Sequence, residues 1–271
     1  MTEPDIDLPT LLPAVADLAR DAGRRIMRIY KAGFTVELKD DHSPLTEADM
    51  AAHNAILAGL DLLTPTIPVL SEESADIDFE TRRRWRTYWL IDPLDGTREF
   101  IKRNGEFTVN IALIHEHRPV LGVIHVPVSG VDYLARRGNG AFRQAPGQAA
   151  ERIHVRTACR KPPVIAGSRS HQGPALKAFL GRIGEHHLLS MGSSLKSCLV
   201  AEGKADLYVR LGPTSEWDTA AAQCIVEEAG GRVTDTRMRA LRYNTRDSLL
   251  NPDFFVFGDH ARDWSVYLGG G

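Results

Sequence analysis

One segment carries most of the structural information in this chain: WLIDPLDGTREF, from Trp89 to Phe100. An apolar run brings Asp92 to its end, a proline turns the chain, and Asp95-Gly96-Thr97 begins a predicted helix. Two carboxylates on either side of a tight turn can converge on one point, and the amides at a helix N-terminus would face a bound anion. Carboxylates beside free amides fit a cation held between the acids and a phosphate. Taken alone, the same residues are also typical of turns and helix caps.

Further acidic residues occur where predicted strands end and predicted helices begin. Glu72 follows the apolar run Ile67–Leu70, Asp218 begins a helix after a Gly-Pro pair, and Asp49 lies one turn into another helix. Each alone is more often a cap or a solvated charge. None of these motifs carries a cysteine or a spaced histidine pair, which disfavours zinc. The combined donors are all oxygens and favour Mg²⁺ before Ca²⁺ or Mn²⁺, with two or more ions. These donors are Glu72, Asp92, the Leu94 carbonyl, Asp95 and Asp218.

Composition narrows the class of protein. The 271 residues hold 33 Lys plus Arg against 35 Asp plus Glu, a formal net charge of -2, which disfavours a nucleic acid polymer or an anionic membrane as partner. Three unpaired cysteines indicate reduced thiols, and the acidic N-terminus does not read as a secretory signal. No apolar stretch approaches the roughly 18 residues of a membrane span. We expect a cytoplasmic enzyme or binding protein without a transmembrane segment.

Apolar spacing predicts two subdomains, 1–150 and 151–271. In the first, amphipathic helices near 11–29 and 47–62 accompany short, largely antiparallel strands, which is α+β in character. The Pro- and Gly-containing segment Gln144–Ile153 is predicted to connect the two. The second alternates strands and helices, as in α/β proteins, and its last helix, Asp218–Ala229, ends at two glycines.

Two motifs in the second half combine hydroxyl groups with positive charge. AGSRSH (166–171) contains Ser168 and His171, and GSSLK (192–196) contains Ser193 and Lys196. Both suit a second phosphate, although Ser193 and Ser194 can also simply cap the following helix and surface lysines are common. TRRRWR (81–86) is predicted as a solvated helix face, and RGNGAF (137–142) as a hairpin turn.

The motifs SEES (71–74), DPLDGT (92–97) and EWDTAA (216–221), in this order, resemble the inositol monophosphatase-like superfamily of Mg²⁺-dependent, lithium-sensitive phosphatases. The resemblance extends from LKDDHSPLTEAD (38–49) to the helix after Asp218. It implies a layered αβαβα sandwich of the inositol monophosphatase and fructose bisphosphatase type.

The resemblance also implies roles for individual residues. Glu72, Asp92 and the Leu94 carbonyl would bind a first metal ion, Asp92, Asp95 and Asp218 a second, and Glu72 a third through water. Asp49 and Thr97 would orient and deprotonate the attacking water, and the amides of Gly96 and Thr97 would hold the phosphate. Two or three Mg²⁺ ions are expected, with Mn²⁺ as a substitute and Li⁺ and Ca²⁺ as inhibitors.

The basic motifs, together with LGPTSEWDTAA (211–221), look like the 3'(2'),5'-bisphosphate nucleotidase branch. Members hydrolyse the 3'-phosphate of adenosine 3',5'-bisphosphate (PAP) and of its sulfated form PAPS, in sulfate assimilation. The likeness implies that Ser168, His171, Ser193 and Lys196 contact the nucleotide, with Arg210 nearby. Two alternatives stay open: an inositol or sugar phosphate phosphatase, and a non-catalytic sensor of Mg²⁺ and nucleotide. A homodimer and peripheral association with the inner membrane also stay open.

Overall fold

The computed structural model describes residues 7–38, 44–168 and 173–269. Its α-helices are α1 (Leu8–Ala32), α2 (Glu47–Leu63), α3 (Phe79–Arg82), α4 (Thr97–Ile101), α5 (Pro174–Ile183), α6 (Leu195–Ala201) and α7 (Ala220–Glu228). Short 3-10 helices span Glu72–Ser74, Glu216–Asp218 and Ser265–Tyr267. The strands are β1 (Val36–Leu38), β2 (Pro44–Thr46), β3 (Val69–Ser71), β4 (Thr87–Asp95), β5 (Thr108–His115), β6 (Arg118–Val126), β7 (Val131–Arg136), β8 (Gly140–Gln144), β9 (Glu151–Ile153), β10 (Val164–Ser168), β11 (His187–Met191), β12 (Leu207–Arg210), β13 (Arg232–Asp235) and β14 (Phe254–Phe257).

These elements form five layers in the order αβαβα. Helices α1 and α2 cover one face of a seven-stranded sheet with strand order β3-β4-β5-β6-β7-β8-β9. Helices α6 and α7 lie between that sheet and a five-stranded sheet of order β11-β10-β12-β14-β13. Helix α5 packs on the outer face of the second sheet. The predicted layered sandwich is confirmed.

The first sheet is antiparallel except at one edge, where β3 runs parallel to β4. Its outer cover, α1, buries Val15, Ala19, Ala22 and Ile26, which lie three or four residues apart and so form one stripe along the helix. The turn between β7 and β8 lies in RGNGAF, which confirms the predicted hairpin.

The central helix layer packs very closely on the first sheet. A Cβ atom at Gly122 on β6 would lie 2.5 Å from the carbonyl oxygen of Ala221 on α7, so only glycine fits there. Cys198 and Cys224 are buried in the same core, as predicted. Because this core joins both sheets, and because β9 still pairs with β8 beyond residue 150, the division into two subdomains remains a proposal.

Several local predictions need correction. The C-terminal strands β13 and β14 were not predicted, and the helix predicted from Asp218 begins only at Ala220, after a 3-10 turn. The solvated face predicted for TRRRWR is wrong at Arg82, which is 2% exposed. Its guanidinium donates to the Asn244 side chain at 2.6 Å and to the backbone carbonyls of Arg246 and Asp247, so it fastens a distant loop to α3.

Candidate functional site

A β-bulge in β4 brings two acidic side chains to the same face of the sheet. Strand β4 pairs with β5 in regular register as far as Asp92 opposite Asn110, and then the register shifts so that Asp95 lies opposite Thr108. Residues three apart on a regular strand point to opposite faces. The one extra residue in the bulge cancels this alternation, so Asp92 and Asp95 face the same side. The motif read as a turn is therefore an irregular continuation of the strand.

Two 3-10 turns add further acids beside the bulge. Oxygens of Asp92, Asp95 and Asp218 lie within 4.8 Å of one another, although Asp218 comes from the turn before α7. Glu72 belongs to the turn directly after β3 and lines the same cleft as Asp95 and Asp218. The four predicted metal-binding carboxylates thus come from separate parts of the chain to one place.

The acids also serve as local caps, which resolves an ambiguity in the sequence. Asp49 Oδ2 accepts hydrogen bonds from the amide and the hydroxyl of Thr46, at 2.8 and 2.6 Å. Asp218 Oδ2 accepts from the Ser215 amide at 2.8 Å. Each cap engages Oδ2, while Asp49 Oδ1 lies 3.4 Å from the Thr97 hydroxyl and Asp218 is one of the clustered carboxylates. Capping and a role in the site are therefore compatible.

The cluster is strongly unfavourable when all of its acids are ionised. Burial, followed by the charge of Glu72, raises the pKa of Asp92 well above its usual range. Burial, followed by the charge of Asp95, raises the pKa of Asp218 to about 8. Oxygen donors gathered so closely in a desolvated site fit a hard divalent cation, whose charge would restore the ionised forms.

A threonine hydroxyl lies between the cluster and a buried acid. Thr97 is the first residue of α4. Its Oγ1 lies 3.4 Å from Asp49 Oδ1 and 3.4 Å from the Leu94 carbonyl oxygen. Asp49 is 2% exposed. The structure thus brings the predicted catalytic pair together beside the Leu94 carbonyl. The N-cap of α4 is Gly96, whose φ of 95° is in the left-handed region that glycine adopts readily.

The same cleft is also lined by basic side chains. The cleft has a volume of about 230 Å³, and Ser193, Lys196 and Arg210 line it together with the rings of Tyr208 and Phe254. The three polar residues were predicted as substrate contacts, whereas the two aromatic rings were not.

Lys196 is a buried cation, not a surface lysine. It is 7% exposed, its Nζ donates to the Ser193 carbonyl at 2.5 Å, and it lies over the Tyr208 ring at 5.3 Å. Burial lowers the pKa of Lys196, against the opposing effect of Asp95.

Arg210 lines the same cleft as Lys196. It donates to the Pro213 carbonyl at 2.9 Å, while its buried Nε has no hydrogen-bond partner within the described ranges. Buried cationic donors of this kind favour an anion in the cleft.

The side chains of two further predicted substrate contacts, Ser168 and His171, are not described by the structure. His171 lies outside the described residues, and for Ser168 only the backbone of β10 is described. Two polar residues that lie at the site were not predicted from the sequence. Asn110 is a buried amide on the face of β5 that also carries Thr108, and Ser194, expected to cap α6, makes no side-chain cap. Asn110 could have been recognised from the sequence, because it is the one amide side chain in a predicted, largely apolar strand.

Comparisons with known proteins show what the whole chain resembles. The sequence model of the inositol monophosphatase family matches residues 7–258. The chain is 52% identical over 248 residues to a 3'(2'),5'-bisphosphate nucleotidase CysQ of Salmonella typhimurium, covering 91% of this chain and 99% of that protein. It is 50% identical to the CysQ nucleotidase of Escherichia coli K12, again over 91% of this chain and 99% of that protein.

Solved structures show the same similarity. A crystal structure of CysQ from Bacteroides thetaiotaomicron, described as a bacterial member of the inositol monophosphatase family, matches with a TM-score of 0.81 and 42% identity, over 94% of this chain and 99% of that one. An inositol monophosphatase from Zymomonas mobilis matches with a TM-score of 0.77 and 27% identity, over 97% and 99% of the two chains. Within the described residues, none of the helices has the length and apolar character needed to cross a bilayer.

Proposed function

Since the chain belongs to the inositol monophosphatase family, we propose that it is a Mg²⁺-dependent 3'(2'),5'-bisphosphate nucleotidase that hydrolyses PAP to AMP and phosphate. CysQ nucleotidases about 50% identical over 91% of the chain support this choice. One structural observation carries it: a single cleft is lined both by acids of the cluster, Glu72, Asp95 and Asp218, and by the cations Lys196 and Arg210. An ester with two phosphates satisfies both groups, one phosphate at the acids with their metal ions and one at the cations.

The proposed metal-binding residues are Glu72, Asp92, the Leu94 carbonyl, Asp95 and Asp218. Their all-oxygen chemistry and the raised pKa values of Asp92 and Asp218 fit Mg²⁺, in two or three ions, with Mn²⁺ as a substitute. When bound, such ions neutralise charge on the phosphate and make water more acidic. Inhibition by Li⁺ and Ca²⁺ belongs to the same proposal.

The protein's own part in proton transfer falls to Thr97 and Asp49. Thr46 holds Asp49 through Oδ2, so Oδ1 is directed to the Thr97 hydroxyl. The hydroxyl can accept a hydrogen bond from a water in the cleft while it donates to Asp49. A proton leaving that water then has a path through Thr97 to a buried carboxylate. A protein that only sensed nucleotide would gain nothing from this pair.

The second phosphate would bind at the cations of the cleft. Lys196 contributes a charge that is held in place by burial, and Arg210 Nε has no hydrogen-bond partner among the residues that the structure describes. The amides of Gly96 and Thr97 would hold the phosphate that is cleaved. The contacts expected from Ser168 and His171, and hydrolysis of PAPS to adenosine 5'-phosphosulfate, remain part of the proposal.

The deciding experiment measures phosphate release from PAP, PAPS, inositol 1-phosphate and fructose 1,6-bisphosphate, each with and without Mg²⁺ and Li⁺. We expect PAP to have the highest kcat/KM among the non-sulfated esters, with loss of activity in chelator. A preference for inositol 1-phosphate or fructose 1,6-bisphosphate would overturn the nucleotidase assignment. No turnover of any ester would instead support a sensor.

A variant separates the metal role from folding. Asp95→Asn should abolish turnover while the thermal unfolding of the metal-free protein shows an intact fold. Substantial residual activity would contradict the metal role of Asp95.

Location and assembly complete the proposal. We place the enzyme in the cytoplasm, and cell fractionation will show whether part of it associates peripherally with the inner membrane. Light scattering after size-exclusion chromatography will show whether it is a homodimer.

A further inference from the structure

One oxygen of Asp95 receives an unusual number of hydrogen bonds. Oδ2 accepts from the Ser194 amide at 2.6 Å, from the Ser194 hydroxyl at 2.7 Å and from the Asn110 amide at 3.2 Å. In the part of the chain that the structure describes, no donor reaches Oδ1. The carboxylate is therefore held entirely through one oxygen.

The donors are themselves held in position. The Thr108 hydroxyl donates to Asn110 Oδ1 at 2.9 Å, which directs the NH₂ group of Asn110 towards Asp95 and towards the Ser194 hydroxyl, 2.9 Å away. Thr108, Asn110 and Ser194 are 0%, 1% and 5% exposed. A network that is buried and fully paired restricts the rotation of every member.

Ser194 connects distant parts of the molecule. Ser193, in the left-handed region with φ of 46°, turns the chain so that the Ser194 amide points at Asp95. The Ser194 hydroxyl also lies 3.0 Å from the Asp218 carbonyl oxygen. Two proposed metal-binding residues therefore share one serine as a neighbour.

We propose that Ser194, supported by Asn110 and Thr108, is a positioning residue of the metal centre: it holds Asp95 so that Oδ1 is available to a divalent cation. The inference rests on the proposed metal role of Asp95. The α6 end of the cleft, which also carries Lys196, is thereby tied directly to the metal-binding carboxylates. Groups that orient metal-binding residues in this way typically contribute 10–100-fold to metal affinity.

The test measures binding of Mn²⁺ alone by electron paramagnetic resonance, with no substrate present, to wild type and to Ser194→Ala. We expect affinity to fall about 10-fold, since the amide and Asn110 still hold Asp95 but the hydroxyl is lost. Ser197→Ala is the matched control, because Ser197 lies in α6, is 5% exposed and, within the described ranges, makes no hydrogen bond to Asp95 through its hydroxyl. It should bind Mn²⁺ like wild type.

The outcomes separate this inference from the proposed function. Weaker Mn²⁺ binding by Ser194→Ala, with a Tm in chelator equal to that of the control, supports positioning. Equal affinity in wild type and variant overturns it while leaving the nucleotidase proposal standing. Absence of Mn²⁺ binding by wild type overturns the metal centre itself. Should Ser194→Ala fail to fold, Thr108→Val tests the same network, and unchanged Mn²⁺ affinity in that variant overturns the inference.

Discussion

Asp218→Asn is the substitution that tests the electrostatics of the acidic cluster most directly. It removes one negative charge and keeps the shape of the side chain. The carboxamide oxygen can still accept the hydrogen bond from the Ser215 amide, which lies at 2.8 Å in the structure. Packing and capping are therefore preserved, and the change in stability reports on the charge.

The magnitude follows from the pKa of Asp218. Burial and the neighbouring charges of Asp95 and Glu72 raise this pKa from 3.8 to about 8. A raised pKa means that the folded state holds the proton more tightly, so the stabilisation is complete below about pH 3.8 and is lost as the pH rises towards 8. Between pH 3.8 and pH 7 the loss amounts to roughly 4 kcal/mol, at 1.36 kcal/mol per pH unit. Because part of the Asp218 surface opens to the cleft, we take half of this value, about 2 kcal/mol.

We therefore expect Asp218→Asn to stabilise the metal-free protein at pH 7, even though it should abolish turnover. Calorimetry in chelator should show a Tm higher by about 4–8 °C, at about 2–4 °C per kcal/mol for chains of this size. The difference should nearly vanish at pH 4, where the wild-type carboxyl holds its proton. Mg²⁺ at 100 times its Kd should stabilise wild type by about 2.7 kcal/mol and the variant far less.

Asp76→Asn is the matched control, because it makes the same change in net charge at an exposed position. It should leave the Tm unchanged. The reasoning is refuted if Asp218→Asn lowers the Tm in chelator at pH 7. It is equally refuted if the variant raises the Tm by the same amount at pH 4 as at pH 7.

Three further substitutions test the cleft and the core. Lys196→Met keeps a long apolar side chain and removes the charge. The KM for PAP should therefore rise roughly 10-fold or more, while hydrolysis of inositol 1-phosphate is unaffected. An unchanged KM for PAP would show that Lys196 does not contact the substrate. Arg82→Met leaves the Asn244 side chain and two backbone carbonyls without their donor. The free energy of unfolding, measured in urea, should fall by about 3–5 kcal/mol. A fall below about 1 kcal/mol would show that water replaces the donors of Arg82. Gly122→Ala forces a Cβ to within 2.5 Å of the Ala221 carbonyl oxygen. It should cost about 1–3 kcal/mol by the same method, and a neutral effect would mean that α7 moves away without strain.

Much of the layered fold could be predicted from the sequence, because it depends on local patterns. The stripe of α1, the apolar runs of β5 and β6 and the glycines after α7 follow from apolar spacing and backbone preference, which act within a few residues. The acids were readable for a related reason: Asp92 and Asp95 lie in one short motif, and Glu72 directly follows a strand. Their convergence was implied by a family resemblance, and the structure places oxygens of Asp92, Asp95 and Asp218 within 4.8 Å of one another.

What only the tertiary structure decided concerns partners that are far apart in the chain. Ser194 bonds to Asp95 across 99 residues, and Arg82 bonds to Asn244 across 162. In both pairs the sequence favoured a local role, a helix cap for Ser194 and a solvated face for Arg82. Stacking of the layers gave each side chain a distant partner in a buried position. Since a buried polar group without a partner is costly, it is the packing of the layers that determines which of its possible hydrogen bonds such a side chain makes.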